Sequence, residues 1–515
     1  MPGPLFIFAQ STQRYGKLVA AKSPISLLLL SSANSASPRR TFKNLCVFAS
    51  RSYSEEKMAD QIALNCTLNV EAVPASEGPR LVYLLVDMRA GLDAQPLDAP
   101  VNMAIVLDLS ESMRLPVLTQ EQFQELSEAG HVQQTVSDGV PVWTFKSIPE
   151  RIRSAAPSNL EAVQASIAQS TRHFQEDDRI SLVAFADRAE VLLTAVPGSE
   201  HRQVLDAISA LASLQLGDET DIAAGLQAGI AEIQRAQTSG TVNRALILTD
   251  GFTREPDRVQ ELAGQARDMG IAVSTLGIGT EFNEKLLVEV ADASLGNAYF
   301  ARVPQEIPPA FGQELAAVQA VTMRNVYVEL KYSAGVEVRR AYRVRPAISL
   351  VQDERRGERA ILIPMGDLDP ANPPALLIEL IVPTQPTGSF RIARVSATHS
   401  TADGARAVSA ASDLILNYTT SKERIEPNPV VMNTVERVSA YVLQTRALDD
   451  MMVGNMAAAT QKLRAAATRL LTVGETGLAE AVEAEAARVE RSGQLSPESA
   501  KELRYATRKL TQRLG

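Results

Sequence analysis

Cysteine is nearly absent from this chain of 515 residues. Cys46 and Cys66 alone cannot build a disulfide framework, and no Cys/His grouping has the spacing of a zinc site. Histidine is as sparse: His131, His173, His201 and His399 are scattered, and none adjoins a candidate nucleophile. No glycine-rich loop runs into Lys and Ser/Thr, so a phosphate-cradling loop is missing. Gly277-Ile278-Gly279 lacks the third glycine of a dinucleotide fingerprint and reads as a strand-end turn. No apolar run approaches the roughly 20 residues of a membrane-spanning helix. Positive charge is also short. The 51 Lys and Arg are outnumbered by 60 Asp and Glu, a formal net charge of −9. That disfavours nucleic acid or an anionic membrane as the main partner.

What is present is length enough for about three domains, and one stretch around which they are organised. Val101–Met113 reads VNMAIVLDLSESM. Met103–Leu107 is apolar at every position, as in a parallel strand buried on both faces. The run stops at Asp108, and Ser110 and Ser112 follow at two-residue spacing. In open α/β sheets ligands bind at the carboxyl ends of the strands. This loop offers only oxygen donors, which suit a hard cation such as Mg²⁺. Three ligands leave its shell incomplete. Thr220, in GDETDIAAGL before a helix, and Asp250, closing the second apolar strand ALILTDG, are placed to add to it.

Asp-x-Ser-x-Ser, then a Thr before a helix, then Asp-Gly after a strand, in that order, resembles the von Willebrand factor A-domain family. The resemblance implies a doubly wound, Rossmann-like α/β domain with a mostly parallel six-stranded sheet and an antiparallel edge strand. It also implies that Asp108, Ser110, Ser112, Thr220 and Asp250 form a metal-ion-dependent adhesion site for Mg²⁺ (or Mn²⁺ or Ca²⁺). Glu111 stands where many relatives have glycine, and is expected to point to solvent. Relatives often change affinity by shifting the last helix of the domain, here Gln305–Ala320.

Residues 1–57 fit nothing downstream. Their one short apolar patch, Ile25–Leu30, follows Lys17 and Lys22, as in an export signal or presequence. We prefer to read them as an over-long gene start. Met58 opens MADQIALN, and Glu55-Glu56-Lys57 would be encoded by purine-rich codons at ribosome-binding spacing. In residues 58–100, IALNCTLNVEAV alternates, with Ile62, Leu64, Cys66, Leu68 and Val70 on one face, and LVYLLVDMRA returns after EGPR.

The A domain is assigned to residues 101–321. Its first long helix is delayed to the cap Ser158-Asn159-Leu160-Glu161. Residues 114–157 are therefore an insertion, with a helix over Thr119–Ala129 and a hairpin turning at Asp138-Gly139, Trp143 on its second arm. Leaving directly from the metal loop, it is expected near the site, as a lid or partner arm or as a packed decoration. Helices expected at Glu200–Leu214, Asp221–Ala236, Asp257–Met269 and Asn283–Ala291 alternate with strands at Arg179–Phe185, Arg244–Thr249, Ile271–Ile278 and Ala298–Arg302. Glu190–Val196 is the edge strand.

From residue 322 to 425 the period becomes strand-like, with Pro, Gly and Asp between short runs, which predicts a β-sandwich completed by the strands of 58–100. Glu426-Pro427-Asn428-Pro429 reads as a stiff linker. Residues 430–515 are alanine-rich and helical, a small bundle with one apolar face at Leu463, Ala466, Ala467, Leu470 and Leu471, and Ser496-Pro497-Glu498 as a cap.

The resemblance implies a non-enzymatic module that captures an Asp or Glu side chain of a protein partner through the metal. Two other readings stay open. One is a metal-dependent hydrolase or phosphotransferase using Asp108, although Ser110 stands where a haloacid-dehalogenase nucleophile motif has a second Asp. The other is a scaffold with a purely stabilising metal. The scarcity of cysteine points to the cytoplasm, with export as the alternative. The oligomeric state is not encoded in any motif.

Overall fold

Apolar runs that stop at a polar residue become the central strands. The computed structural model describes residues 62–75, 78–91, 99–137, 140–351, 354–355, 357–401, 405–409, 411–421, 425–493 and 497–511. The reading of residues 1–57, the turn Asp138-Gly139 and Ser496 lie outside them. The described residues divide into two units, one of residues up to Val117 with those from Ala155 onward, the other of Leu118–Ser154.

In the larger unit a six-stranded sheet runs in the order Ala298–Ala301, Ile271–Ile278, Val242–Thr249, Val101–Asp108, Arg179–Phe185, Ala189–Pro197. Every neighbouring pair is parallel except the last, which is antiparallel. Strand residues alternate between faces. Met103, Ile105 and Leu107 join the core under helices Asn159–Ser170, His201–Ala210 and Ile307–Gln319. Ala104 and Val106 join the opposite core under Ile222–Ala236, Pro256–Asp268 and Glu284–Ser294. Each fully buried Leu or Ile contributes roughly 1.5–3 kcal/mol. Helix Ile222–Ala236 lies very close to the sheet: a Cβ on Gly225 would stand 2.5 Å from the Phe185 ring, and one on Gly229 2.6 Å from Val106.

Helix His201–Ala210 ends earlier than its apolar pattern suggested. Asp221, not Thr220, caps helix Ile222–Ala236, its carboxylate accepting from the Ala224 N–H at 2.9 Å. Ser158 caps Asn159–Ser170 with a reciprocal bond to Glu161, as its sequence predicts.

Two further sheets enclose one apolar core, Leu84, Val86, Leu376 and Ile378 facing Val328, Leu330, Val395 and Leu416. The alternating stretch from Ile62 is not one strand. Ile62–Leu68 pairs with Arg80–Ala90 in one sheet, while Ala72–Pro74 pairs in parallel with Ser412–Thr419 in the other. The chain changes sheet at buried Asn69, whose Oδ1 accepts from the Tyr83 N–H at 2.8 Å.

Helices Pro429–Met452, Met456–Thr472, Thr476–Ser492 and Pro497–Arg508 follow. They cover the outer face of the first of these sheets, through Leu85, Tyr342 and Leu377. Leu463, Ala466, Ala467 and Leu470 are buried there, but Leu471 is 56 % exposed, one position beyond the contacting stripe. The expected linker is a cap: the Asn428 side chain accepts from the N–H groups of Val430 and Val431, and its own N–H donates to the Asn69 carbonyl at 2.7 Å. The last helix reaches the α/β domain. Lys501 donates to the carbonyls of Thr280 and Phe282 at 2.8 and 2.6 Å, and Tyr505 stacks on Phe300.

The smaller unit holds a helix over Gln120–Glu128, capped by Thr119, and an antiparallel hairpin of Val132–Ser137 with Val140–Phe145. It also has one short helix that its sequence did not announce, Glu150–Arg153. At the base of the insertion, within the larger unit, Pro116 bridges to Ser158 and the Val117 N–H donates to the Pro157 carbonyl at 3.3 Å.

Candidate metal centre

Three chain segments converge at the carboxyl edge of the parallel sheet. Register brings the first two together. Leu107 lies opposite Leu248, so Asp108 and Thr249 fall side by side on neighbouring strands. The Thr249 hydroxyl donates to Asp108 Oδ2 at 2.6 Å, and Asp108 Oδ1 accepts from the Ser110 N–H at 2.8 Å. The second bond folds the loop back over its own aspartate. One helical turn, Glu111–Arg114, then follows at once, well before the delayed helix that the sequence announces.

That loop geometry aims the serines at Asp250. Ser110 and Ser112 share a hydrogen bond of 3.1 Å, and the Ser112 hydroxyl donates to Asp250 Oδ1 at 2.7 Å. The other Asp250 oxygen accepts from Asn159 Nδ2 at 3.0 Å. Thr220 arrives on the segment before helix Ile222–Ala236, held by the Asp221 N–H on the Ala186 carbonyl at 2.9 Å. Its hydroxyl rests against Gly251, where a Cβ would stand only 2.7 Å away. All five residues named from the sequence thus meet at one edge. Asp108, Ser110, Thr220 and Asp250 are buried, whereas Ser112 is exposed, as is Glu111 beside it.

Two supporting residues were not recognised in the sequence. Thr249 was visible as the residue before Asp250, and Asn159 as the one after a helix cap, but neither spacing discloses the carboxylate it serves.

Two buried carboxylates face one hydroxyl network. Burial pushes the Asp108 carboxyl up, against the hydrogen bonds from Thr249 and Ser110 that pull it down. Asp250 is pushed up to about 7, by burial first and then by the charge of Asp108, with Ser112 and Asn159 opposing. Among the described residues no Lys or Arg pairs with either aspartate. The donor set fits a hard dication: two carboxylates and three hydroxyls, all oxygen. Among the described residues no cluster of three His, Cys, Asp or Glu competes with it.

The last helix of the domain is anchored at the other edge of the sheet. Buried Glu314 accepts from Ser274 at 2.6 Å, Tyr299 at 2.9 Å and Asn297 at 3.0 Å, and pairs with buried Arg244 at 3.3 Å.

Comparison with known proteins agrees with this architecture. The von Willebrand factor type A domain model matches residues 153–309, and the model for the Sll0103-like, C-terminal alpha-helical domain matches residues 429–513. The first match begins where the insertion ends, so the Asp108 loop precedes it. The uncharacterized protein YfbK of Escherichia coli is 25 % identical over 179 residues, 34 % of this chain and 31 % of that protein. The uncharacterized protein sll0103 of Synechocystis is 25 % identical over 276 residues, 53 % of this chain and 54 % of that protein. The chain therefore spans between 31 % and 54 % of the length of these relatives. A solved von Willebrand factor type A protein from Catenulispora acidiphila superposes with a TM-score of 0.66 at 16 % identity, over 88 % of this chain and 98 % of that one. The ArnB paralog VWA2 from Sulfolobus acidocaldarius gives 0.51 at 13 % identity, over 87 % and 98 %. The chain thus carries a von Willebrand factor type A domain, matched over residues 153–309 and with the sheet order described above, and a Sll0103-like helical domain, matched over residues 429–513.

Proposed function

We propose that Asp108, Ser110, Ser112, Thr220 and Asp250 hold a divalent cation, Mg²⁺ by preference, and that the protein is a non-enzymatic binding module. Its site captures an Asp or Glu side chain of a protein partner. One observation carries this reading: two buried carboxylates share a hydroxyl network, with no Lys or Arg paired to them among the described residues. Buried charge without a counter-charge is costly, and a dication removes that cost. When bound, the metal supplies a positive centre and an exchangeable position for an incoming carboxylate oxygen. Thr249 and Asn159 fix the two aspartates in orientation. Exposed Ser112 stands at the mouth. Among the described residues, no histidine hydrogen-bonds to this network, which favours binding over turnover.

The test uses the full chain. Calorimetric titration with Mg²⁺, Mn²⁺ and Ca²⁺ is expected to give one site, lost in Asp108→Ala. Capture from a lysate of the source organism is then run with Mg²⁺, with chelator, and with Asp108→Ala/Ser110→Ala. A protein retained only by wild type with metal supports the reading. The same catch in all lanes overturns it and leaves a stabilising metal, while phosphoester turnover that depends on Asp108 would establish the enzymatic alternative.

A further inference from the structure

The rim of the metal centre carries features that the metal does not use. Phe252 lies two residues beyond Asp250 and is 64 % exposed. Leu115 lies three residues beyond Ser112 and is 46 % exposed. Two residues of chain reach no further than about 7 Å, so the Phe252 backbone borders the site directly. Exposed single apolar residues are ordinary on protein surfaces. These two flank the loops that supply Ser112 and Asp250, whose side chains touch at 2.7 Å.

The charge on the same rim is one-sided. Glu111, Asp218 and Glu255 are exposed. Arg254 is paired with Glu219, so its charge is already answered. Arg114 and Arg188 donate to backbone carbonyls, Arg114 to those of Ala212 and Leu214 and Arg188 to those of Gln215 and Leu216. A dication balanced by Asp108 and Asp250 would leave the centre neutral, so the field at the mouth would be set by the three unanswered acids. That field reaches about 8 Å at physiological salt and draws in basic groups.

We infer that the partner segment presents its acidic residue beside an apolar side chain, which packs on Phe252, and within a basic flank, which faces Glu111, Asp218 and Glu255. This rests on the function proposed above and names the partner's chemistry: a locally basic peptide with one Asp or Glu and a neighbouring Leu, Ile, Met or aromatic residue. An acid-rich peptide, the simplest ligand for a metal alone, would be repelled by this rim. Specificity here comes as much from what is rejected as from what is bound.

The test selects a displayed library of random peptides on the full chain with Mg²⁺. The expected motif joins one acid, one apolar neighbour and Lys or Arg nearby. Affinity of the selected peptides is expected to fall about tenfold in Phe252→Ala. It should fall by a similar factor in Glu111→Lys/Asp218→Lys, and the wild-type affinity should weaken with added salt. Mg²⁺ titration of each variant is run alongside. Phe252→Ala changes no charge and is expected to leave Mg²⁺ affinity unchanged, whereas the two lysines are expected to weaken it, so peptide affinity is compared with each variant saturated in Mg²⁺. Metal-dependent peptides that bind Phe252→Ala as tightly as wild type, or that come out rich in acids, overturn the inference and leave the metal site standing. Failure of wild type to bind Mg²⁺ removes the proposed function and this inference together.

Discussion

Asn159 and Asp250 lie 91 positions apart in the chain and meet through a 3.0 Å hydrogen bond. Asn159 is the first residue of its helix, so the bond ties a helix N-terminus, with its partial positive charge, to the strand-end carboxylate. Replacing Asn159 with Leu removes this donor without adding charge. Mg²⁺ affinity is expected to drop roughly 10- to 100-fold, as for other groups that orient a ligand. Titration calorimetry reads the loss, and Asn159→Gln should recover part of it.

The elevated Asp250 carboxyl gives a pH dependence with a defined sign. Its folded value lies near 7, above its ordinary 3.8. Without metal, the folded protein keeps a proton that the unfolded chain releases, so stability is fully present below the ordinary value and falls as pH rises towards 7. With Mg²⁺ the proton competes with the ion. The melting temperature gained from Mg²⁺ is therefore expected to be small at pH 5 and to grow through pH 7. Thermal melts over a pH series, with and without metal, check this. Asp250→Asn should flatten both curves.

Gly251→Ala tests the seat of Thr220. The new methyl would press on the Thr220 hydroxyl at 2.7 Å, closer than packed atoms tolerate. Thr220 must move, and metal affinity is expected to fall about tenfold, equivalent to ~1.4 kcal/mol. Far-ultraviolet circular dichroism should stay as in wild type, because both residues lie on connecting segments at the sheet edge.

Glu314→Leu opens the far end of the domain. It takes from buried Arg244 its nearer carboxylate, leaving Asp367 at 3.9 Å, and strands the donors of Ser274, Asn297 and Tyr299. Removing one side of a buried pair costs about 3–5 kcal/mol. Hydrogen exchange in helix Ile307–Gln319 should accelerate accordingly. Glu314→Gln, which keeps the acceptor oxygen, should lose less.

The α/β core was legible because its signals are local. Met103–Leu107 is apolar throughout and stops at Asp108, and Ser158 and Glu161 cap each other across three positions. That Asp108, Ser110, Ser112, Thr220 and Asp250 meet was legible for the same reason, each sitting at the end of an element. Thr249 and Asn159 were not, because their roles arise from strand register and from contact across 91 positions. Asn69 likewise gave no sign that the chain changes sheets there, since its partners, Tyr83 and Asn428, are set by tertiary structure. Leu471 looked like core because helical spacing does not tell which side of a stripe meets a neighbour.

The bridge between Pro116 and Ser158 has a consequence for how this molecule can be altered. Chain that departs at Val117 returns at Pro157, one hydrogen bond away, and none of the strands between them belongs to the six-stranded sheet. Cutting out that segment and joining this neck with a few residues leaves every strand pairing of the six-stranded sheet intact. A segment of different length or sequence mounted on the same neck is therefore expected to leave the five residues gathered at the sheet edge where they are.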